Sequence, residues 1–178
     1  MPTMTSEQIR ELAQSLQEEY FPGDLHPDPF ELVEYLDIHL SVRDLGTLKG
    51  FYYILQEEPQ IILSDRLSEE TSRIVCAHEL GHHLLHQRFA HNLLFGEYDL
   101  YLSHIRWEME ANQFAAHFLI PDALLASVLD TIPAPDIGVS MDELAHQCGT
   151  TQQLIAIKLG QADRPVVFPD GSIEMKEM

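Results

Sequence analysis

Basic residues are scarce in this sequence. Its 178 residues include 10 lysines and arginines against 29 aspartates and glutamates, so the formal net charge is −19 at pH 7. A chain of this charge repels nucleic-acid phosphates and anionic lipid surfaces, and we expect no direct nucleic-acid binding and no membrane association. The same charge favours a basic protein partner, although acidity also serves solubility alone.

Cysteines and uninterrupted apolar runs are also few. Cys76 and Cys148 match no spacing of a metal knuckle or a redox pair, so we expect two small buried side chains in a reducing compartment. The apolar segment 114–129 is interrupted by Pro121 and Asp122, which argues against a membrane span. The first residues lack the basic-then-apolar pattern of a signal peptide. The expected location is cytoplasmic.

Hydrophobic periodicity, capping residues and turn residues divide the chain into helices around three short strands. Helices are predicted over 5–20, 26–38, 68–90, 103–120, 121–129, 141–148 and 153–159, and strands over 39–45, 50–56 and 60–65. The last two strands are predicted to form a hairpin through 57–59, and Thr150 to cap the last helix. This order predicts an α+β fold, mainly helical, with a small three-stranded sheet beside the histidine-rich helix.

The segment "RIVCAHELGHHLLHQRFAH", residues 73–91, contains five histidines and one glutamate. His78 and His82 are four residues apart, so their imidazoles share one helical face and can reach one Zn²⁺ at about 2.0–2.1 Å. Glu79 lies on the same side, where a carboxylate can take a proton from water. The H-E-x-x-H pattern also arises by chance in a chain rich in His and Glu. Its place in a capped amphipathic helix, with Gly81 leaving room over the metal, favours a metal site.

A zinc hydrolase needs a third protein ligand and one open coordination position. The helix predicted over 103–120 offers Glu108 and Glu110, which flank its apolar stripe on opposite sides, so it can present only one of them. Periodicity does not say which. The donor that would stabilise an oxyanion is open too, and four candidates are Tyr98, Tyr101, His104 and His117. Of the remaining histidines of the region, His83 is expected to point away from the face of His78 and His82. His86 and His91 are expected at the rim of the site or next to its ligands, and not as ligands themselves.

The segments "AHELGHHLLH" and "WEMEANQFAAHFLIP" strongly resemble the ImmA/IrrE family of metallopeptidases. In that family an H-E-x-x-H helix is followed by a helix reading roughly E-A-N-x-F-A-x-x-L-L-M-P. This chain departs mildly, in the three residues before Pro121. The resemblance implies that Glu110 joins His78 and His82 as the third zinc ligand, as in gluzincins, with Glu108 as the alternative.

The resemblance also implies a function. Family members act in the cytoplasm, and several are anti-repressors that cut a helix-turn-helix transcriptional repressor. We therefore expect a zinc-dependent endopeptidase with Glu79 as its general base. The alternative is a non-proteolytic metal-binding regulator that sequesters a repressor or a toxin–antitoxin partner. A DNA-reading helix-turn-helix over 141–160 is disfavoured, because its second helix has Lys158 as its one basic residue.

The resemblance spans about residues 5–160 in order of elements. We expect a zinc metallopeptidase domain over 1–135, a small helix-turn-helix-like appendage over 136–162, and a tail or hairpin over 163–178. The appendage is expected to serve packing or substrate docking. A strand such as 51–55 or 60–64 is expected to bind an extended substrate by edge pairing.

Overall fold

The computed structural model describes residues 4–90, 100–131 and 141–160, and of 88–90 and 100–105 it describes the backbone alone. A loop predicted roughly over 92–102 lies outside the described residues as far as 99, and 100–102 are helical instead. A connector predicted over 131–139 lies outside them from 132 onward, with 131 still helical, and the tail predicted over 163–178 lies outside them entirely. The division into domains therefore stays a prediction.

The described chain is α+β, as the sequence predicts. Its helices are α1 (Ser6–Tyr20), α2 (Pro29–Tyr35), α3 (Glu69–Ala90), α4 (Leu100–Leu119), α5 (Asp122–Thr131), α6 (Met141–Gln147) and α7 (Gln152–Lys158). Its strands are β1 (His39–Arg43), β2 (Gly50–Leu55) and β3 (Glu58–Ser64). α3, the histidine-rich helix, packs against β2 and β3 of the sheet and also against α4.

The first helix begins with the predicted capping box. The Thr5 hydroxyl accepts a hydrogen bond from the Gln8 backbone N–H, and the Gln8 side chain accepts one from the Thr5 N–H. These bonds satisfy two backbone donors that a helix start leaves without an intrahelical partner. α1 then contributes Ile9 and Ala13, both fully buried, to its contact with α4.

The last helix is capped by the residue after the predicted one. Its cap is Thr151, whose hydroxyl accepts from the Leu154 N–H, rather than Thr150. Thr150 belongs to the preceding turn, because its own N–H donates to the Ala145 carbonyl after Gly149 adopts a positive φ of 63°. This is the pattern of a glycine-terminated helix, and it uses Thr150 to end α6.

The sheet has the order β1-β3-β2, with β1 parallel and β2 antiparallel to β3. The hairpin turn is formed by Gln56 and Glu57, both at positive φ, one residue earlier than the predicted 57–59. Two such residues make the two-residue turn that matches the twist of paired strands. Because β3 is central, 60–64 cannot pair with a substrate at an edge, and that part of the prediction is wrong.

The core lies where α3 and α4 face each other and the sheet. Its largest fully buried side chains include Phe114 and Phe118 of α4 and Leu80 of α3. Among the described helices, none alone has the length and apolarity of a membrane span; α4 from Arg106 and α5, bent by 61°, meet those criteria only as a pair.

The C-terminal helices are attached to the rest through a buried lysine. α7 packs on α4, and its Lys158 side chain is 4% exposed. The Lys158 ammonium donates to Nδ1 of His117 in α4, at 3.2 Å, and to the Asp122 carboxylate at the start of α5. Asp122 also accepts from Gln14 of α1. One polar cluster thus joins four helices.

Candidate metal centre

Two histidines of α3 and one glutamate of α4 bring three metal-ligating groups together. The Nε2 atoms of His78 and His82 are 3.1 Å apart. The carboxylate of Glu108 places one oxygen 3.1 Å from His78 Nε2 and the other 3.4 Å from His82 Nε2. One donor atom from each residue lies within 4.8 Å of the other two, and the described residues contain no second group of this kind.

Glu110, the predicted third ligand, is not in this cluster. Its carboxylate accepts hydrogen bonds from His86 Nε2 and from Arg106 Nε, each at 3.0 Å. Residues two apart on a helix point about 200° away from each other, so the face that carries Glu108 to the imidazoles carries Glu110 elsewhere. In this structure Glu108, the alternative, lies beside His78 and His82, and Glu110 does not. Which of the two binds a metal stays a prediction.

The donor set fits a divalent cation. Nδ1 of His78 lies 2.9 Å from the buried Asn112 Oδ1, which can only accept, so this Nδ1 carries a proton and Nε2 is the nitrogen whose lone pair is left for a metal. That lone pair faces the Glu108 carboxylate and Nε2 of His82. A cation placed between these three groups would be attracted by all of them. Two nitrogens bound tetrahedrally to one zinc lie about 3.3 Å apart, close to the separation of His78 and His82.

Burial and mutual charge shift the pKa values of all three groups. Burial acts to lower the pKa of His78, but Glu108, Glu79 and Asn112 together raise it. Burial lowers the pKa of His82 to about 4, against the opposing bond to Glu108. Burial acts to raise the pKa of Glu108, yet the two imidazoles lower it well below its usual range. Glu108 is therefore an ionised carboxylate, as a metal ligand must be.

Glu79 is buried beside the cluster without belonging to it. Its side chain is 6% exposed, and burial raises its pKa to about 7. The negative charge of Glu108 adds to the rise, while the charge of His78 and a hydrogen bond from the backbone N–H of Tyr52 oppose it. A carboxyl group with a pKa near neutrality can both accept and release a proton at physiological pH.

The remaining histidines and the candidate oxyanion donors either lie away from the cluster or are not described by the structure. His83 contacts the Tyr52 hydroxyl at 3.1 Å, and His117 contacts Lys158, away from the cluster. His91 and Tyr98 lie outside the described residues, as do the side chains of Tyr101 and His104.

Sequence reasoning missed Asn112 and the backbone of Tyr52. Asn112 could have been found from its spacing, because it lies four residues after Glu108 and therefore on the same face of α4. The role of Tyr52 depends on a backbone group of a strand distant in sequence, and no residue pattern indicates it.

An H-E-x-x-H helix packed between a small sheet and a second helix that supplies a glutamate defines a domain of the metallopeptidase class. The chain belongs to the M78 peptidase family, described as the IrrE N-terminal-like domain, whose model matches residues 33–159. A similar curated protein is "Uncharacterized immunity region protein 2" of Bacillus phage phi105. It is 30% identical over 132 residues, which cover 74% of this chain and 78% of the phage protein. The resemblance inferred from the sequence is thus confirmed.

Proposed function

We propose that this chain is a zinc-dependent endopeptidase of the ImmA/IrrE type that cuts a helix-turn-helix transcriptional repressor in the cytoplasm. One observation carries the proposal: the donors of His78, His82 and Glu108 converge beside the buried carboxylate of Glu79. A purely structural zinc site has four protein ligands and needs no neighbouring base, whereas a catalytic site has three and keeps one position open.

In this proposal His78, His82 and Glu108 hold the zinc. When bound, zinc supplies Lewis acidity, which lowers the pKa of water and polarises a peptide carbonyl. Asn112 fixes the ring of His78 with a proton at Nδ1, so that Nε2 is the nitrogen that would bind the metal. Glu108 contributes a full negative charge that balances the cation.

Glu79 is the general base and then the general acid. Its carboxylate takes a proton from the water that attacks the scissile carbonyl, and later gives it to the leaving amine. The pKa near 7 suits both steps, because neither protonation state is strongly disfavoured at neutral pH. The Tyr52 N–H accounts for one acceptor position of the carboxylate and so restricts its orientation.

The free edge of β2 is the proposed site for an extended substrate. The Lys49 carbonyl accepts from the Ser64 N–H of the neighbouring strand, so by strand alternation the backbone groups of Gly50, Tyr52 and Ile54 face away from β3. The bond from Tyr52 to Glu79 agrees with this direction. No described strand pairs with β2 on that side. An extended peptide added there would run beside the general base.

Three observations support a repressor as the substrate. Repressor cleavage is what the family resemblance implies, and the name of the phage relative refers to an immunity region. The net charge of −19 suits a basic DNA-binding protein as partner.

Lys158, the basic residue of α7, is buried against Asp122, so it is not available to bind a DNA phosphate. This burial disfavours DNA reading by α7.

The test is cleavage of the helix-turn-helix repressor encoded nearest to this gene. We expect the zinc-loaded chain to give discrete fragments by mass spectrometry, and Glu79→Gln to slow their appearance about 100-fold or more. Glu70→Gln is the matched control, because Glu70 is an exposed glutamate of the same helix, outside the cluster. It should cleave at the wild-type rate.

A reporter gene silenced by that repressor separates cleavage from sequestration. If Glu79→Gln still binds zinc and relieves repression as fully as the wild type, the chain acts by binding, and the peptidase proposal is wrong. If Glu79→Gln binds zinc and leaves the reporter silent, hydrolysis is the cause of derepression.

A further inference from the structure

A line of hydrogen bonds leads from the surface of α4 to His82. Nδ1 of His82 lies 3.1 Å from Nδ1 of His86, and Nε2 of His86 lies 3.0 Å from the Glu110 carboxylate. The other oxygen of Glu110 accepts from Nε of Arg106. His86 and Glu110 are 5% and 7% exposed, so water has little room to replace either partner.

The donor and acceptor character of these groups determines which atom donates in each hydrogen bond of the line. Arg106 Nε only donates, so the Glu110 carboxylate is the acceptor of the bond between them. Glu110 must then receive the Nε2 proton of His86, which leaves Nδ1 of a neutral His86 as an acceptor. The nitrogen facing that acceptor, Nδ1 of His82, must carry a proton. Its Nε2, which faces Glu108, is then free to bind a metal.

We infer that His86 and Glu110 are positioning residues that hold His82 in the Nδ1–H tautomer. The inference rests on the proposed function only in taking His82 as a metal ligand. Asn112, which could play such a part on the same helix, contacts His78 instead. Glu110 therefore does not touch the metal but acts on the ligand His82 through His86. Hydrogen-bonded partners of this kind commonly set the orientation of a ligating imidazole and its basicity.

The first test reads the tautomer directly in the full chain stripped of metal. Long-range ¹H–¹⁵N spectra of the imidazoles, recorded at about pH 8, distinguish a protonated Nδ1 from a protonated Nε2. We expect His82 in the wild type to be protonated at Nδ1, and Glu110→Leu to shift it toward a mixture. A wild-type His82 protonated mainly at Nε2 would overturn the inference, whatever the variants do.

The second test measures zinc affinity by competition with a chromophoric chelator. We expect Glu110→Leu and His86→Leu each to weaken zinc binding about 10- to 100-fold, the usual cost of losing such a partner. Glu110→Gln keeps an acceptor oxygen for His86 and should restore most of the affinity. A merely structural role of Glu110 would instead track folding, which circular dichroism and thermal melting report for each variant.

The double variant His86→Leu/Glu110→Leu tests whether the residues act in series. Because Glu110 is inferred to act through His86, the double variant should lose no more affinity than His86→Leu alone. Independent, multiplying losses would overturn the inference, as would unchanged affinity in a folded Glu110→Leu. If wild-type protein fails to bind zinc, the proposed metal site fails first. If zinc binds normally and the variants match the wild type, the positioning role alone fails.

Discussion

Gly81 of α3 lies against the backbone of Ala111 in α4. A Cβ built on Gly81 would be 2.8 Å from Ala111 Cα and 3.0 Å from the Ala111 carbonyl oxygen. A glycine here allows the helix that carries both histidines to approach the helix that carries Glu108. From the sequence we expected Gly81 to leave room over the metal. In the structure the space beside Gly81 is filled by Ala111 of α4.

Gly81→Ala should therefore destabilise the protein. The new methyl group meets backbone atoms that cannot rotate away, so we expect a cost of about 2–3 kcal/mol, the upper part of the range for overpacking. Alanine recovers about 1 kcal/mol through its higher helix propensity, so we expect a net loss of about 1–2 kcal/mol in urea unfolding. Zinc affinity should fall as well, because α3 and α4 must separate. A variant as stable as the wild type would show that the helices are not in this contact.

The same contact explains why the sequence placed His78 and His82 together but could not decide between Glu108 and Glu110 as the third member of the cluster. His78 and His82 follow from local geometry, since residues four apart on any helix lie on one face. Glu108 and Glu110 are both compatible with the periodicity of α4. The choice between them depends on how α4 is rotated against α3, which is set by packing between residues distant in sequence, Gly81 and Ala111 among them.

The features of the fold also separate into local ones, which the sequence predicts, and long-range ones, which it does not. The capping box of Thr5, the α+β class and the three strands were predictable because each depends on neighbouring residues or on a period. The parallel pairing of β1 with β3 was not, because strand order depends on contacts that no local pattern encodes. Thr150 was a plausible cap by composition, and only its backbone bond to Ala145 shows that it ends one helix instead of starting the next.

Zinc should stabilise the chain through Glu108 as a direct ligand, whereas Glu110 should act only through His86. A ligand that binds only the folded state adds about 4 kcal/mol when present at 1,000 times its dissociation constant, so zinc should raise the melting temperature. Glu108→Gln removes the ionised carboxylate from the cluster and should abolish most of this rise. Glu110→Gln, two residues away on the same helix, should keep most of it. The reverse result would return Glu110 to the ligand set and refute the geometry of this site.

Asn112 should set the zinc affinity of the site through His78. Asn112→Leu removes the acceptor for the Nδ1 proton of His78, and loss of such a partner typically weakens metal binding about 10- to 100-fold. Asn112→Asp retains the acceptor and adds a negative charge, so it should bind zinc at least as tightly as the wild type. Chelator competition measures all three proteins. Equal affinity of the leucine variant would mean that His78 needs no orienting partner.

Acid should weaken the docking of α7 through His117. Burial, with the charges of Lys158 and Arg10, lowers the pKa of His117 to about 4, while the charge of Asp122 opposes this shift. A histidine whose pKa is lower in the folded than in the unfolded state costs stability once the unfolded chain takes up the proton. The loss therefore begins as the pH falls below the ordinary histidine pKa of about 6.5 and is complete near pH 4.

The measurement is the free energy of urea unfolding at about pH 7 and about pH 5, with His117→Gln as the comparison. The imidazole keeps some contact with water, so we expect its share of the acid loss to be about 1–2 kcal/mol. His117→Gln retains an acceptor for Lys158 and cannot titrate. Its free energy of unfolding should therefore fall by about that much less than the wild-type value between the two pH values. The other shifted histidines, including His82, remain in both proteins and cancel in the comparison. Equal acid sensitivity of the two proteins would show that His117 is protonated as readily in the folded chain as in the unfolded one.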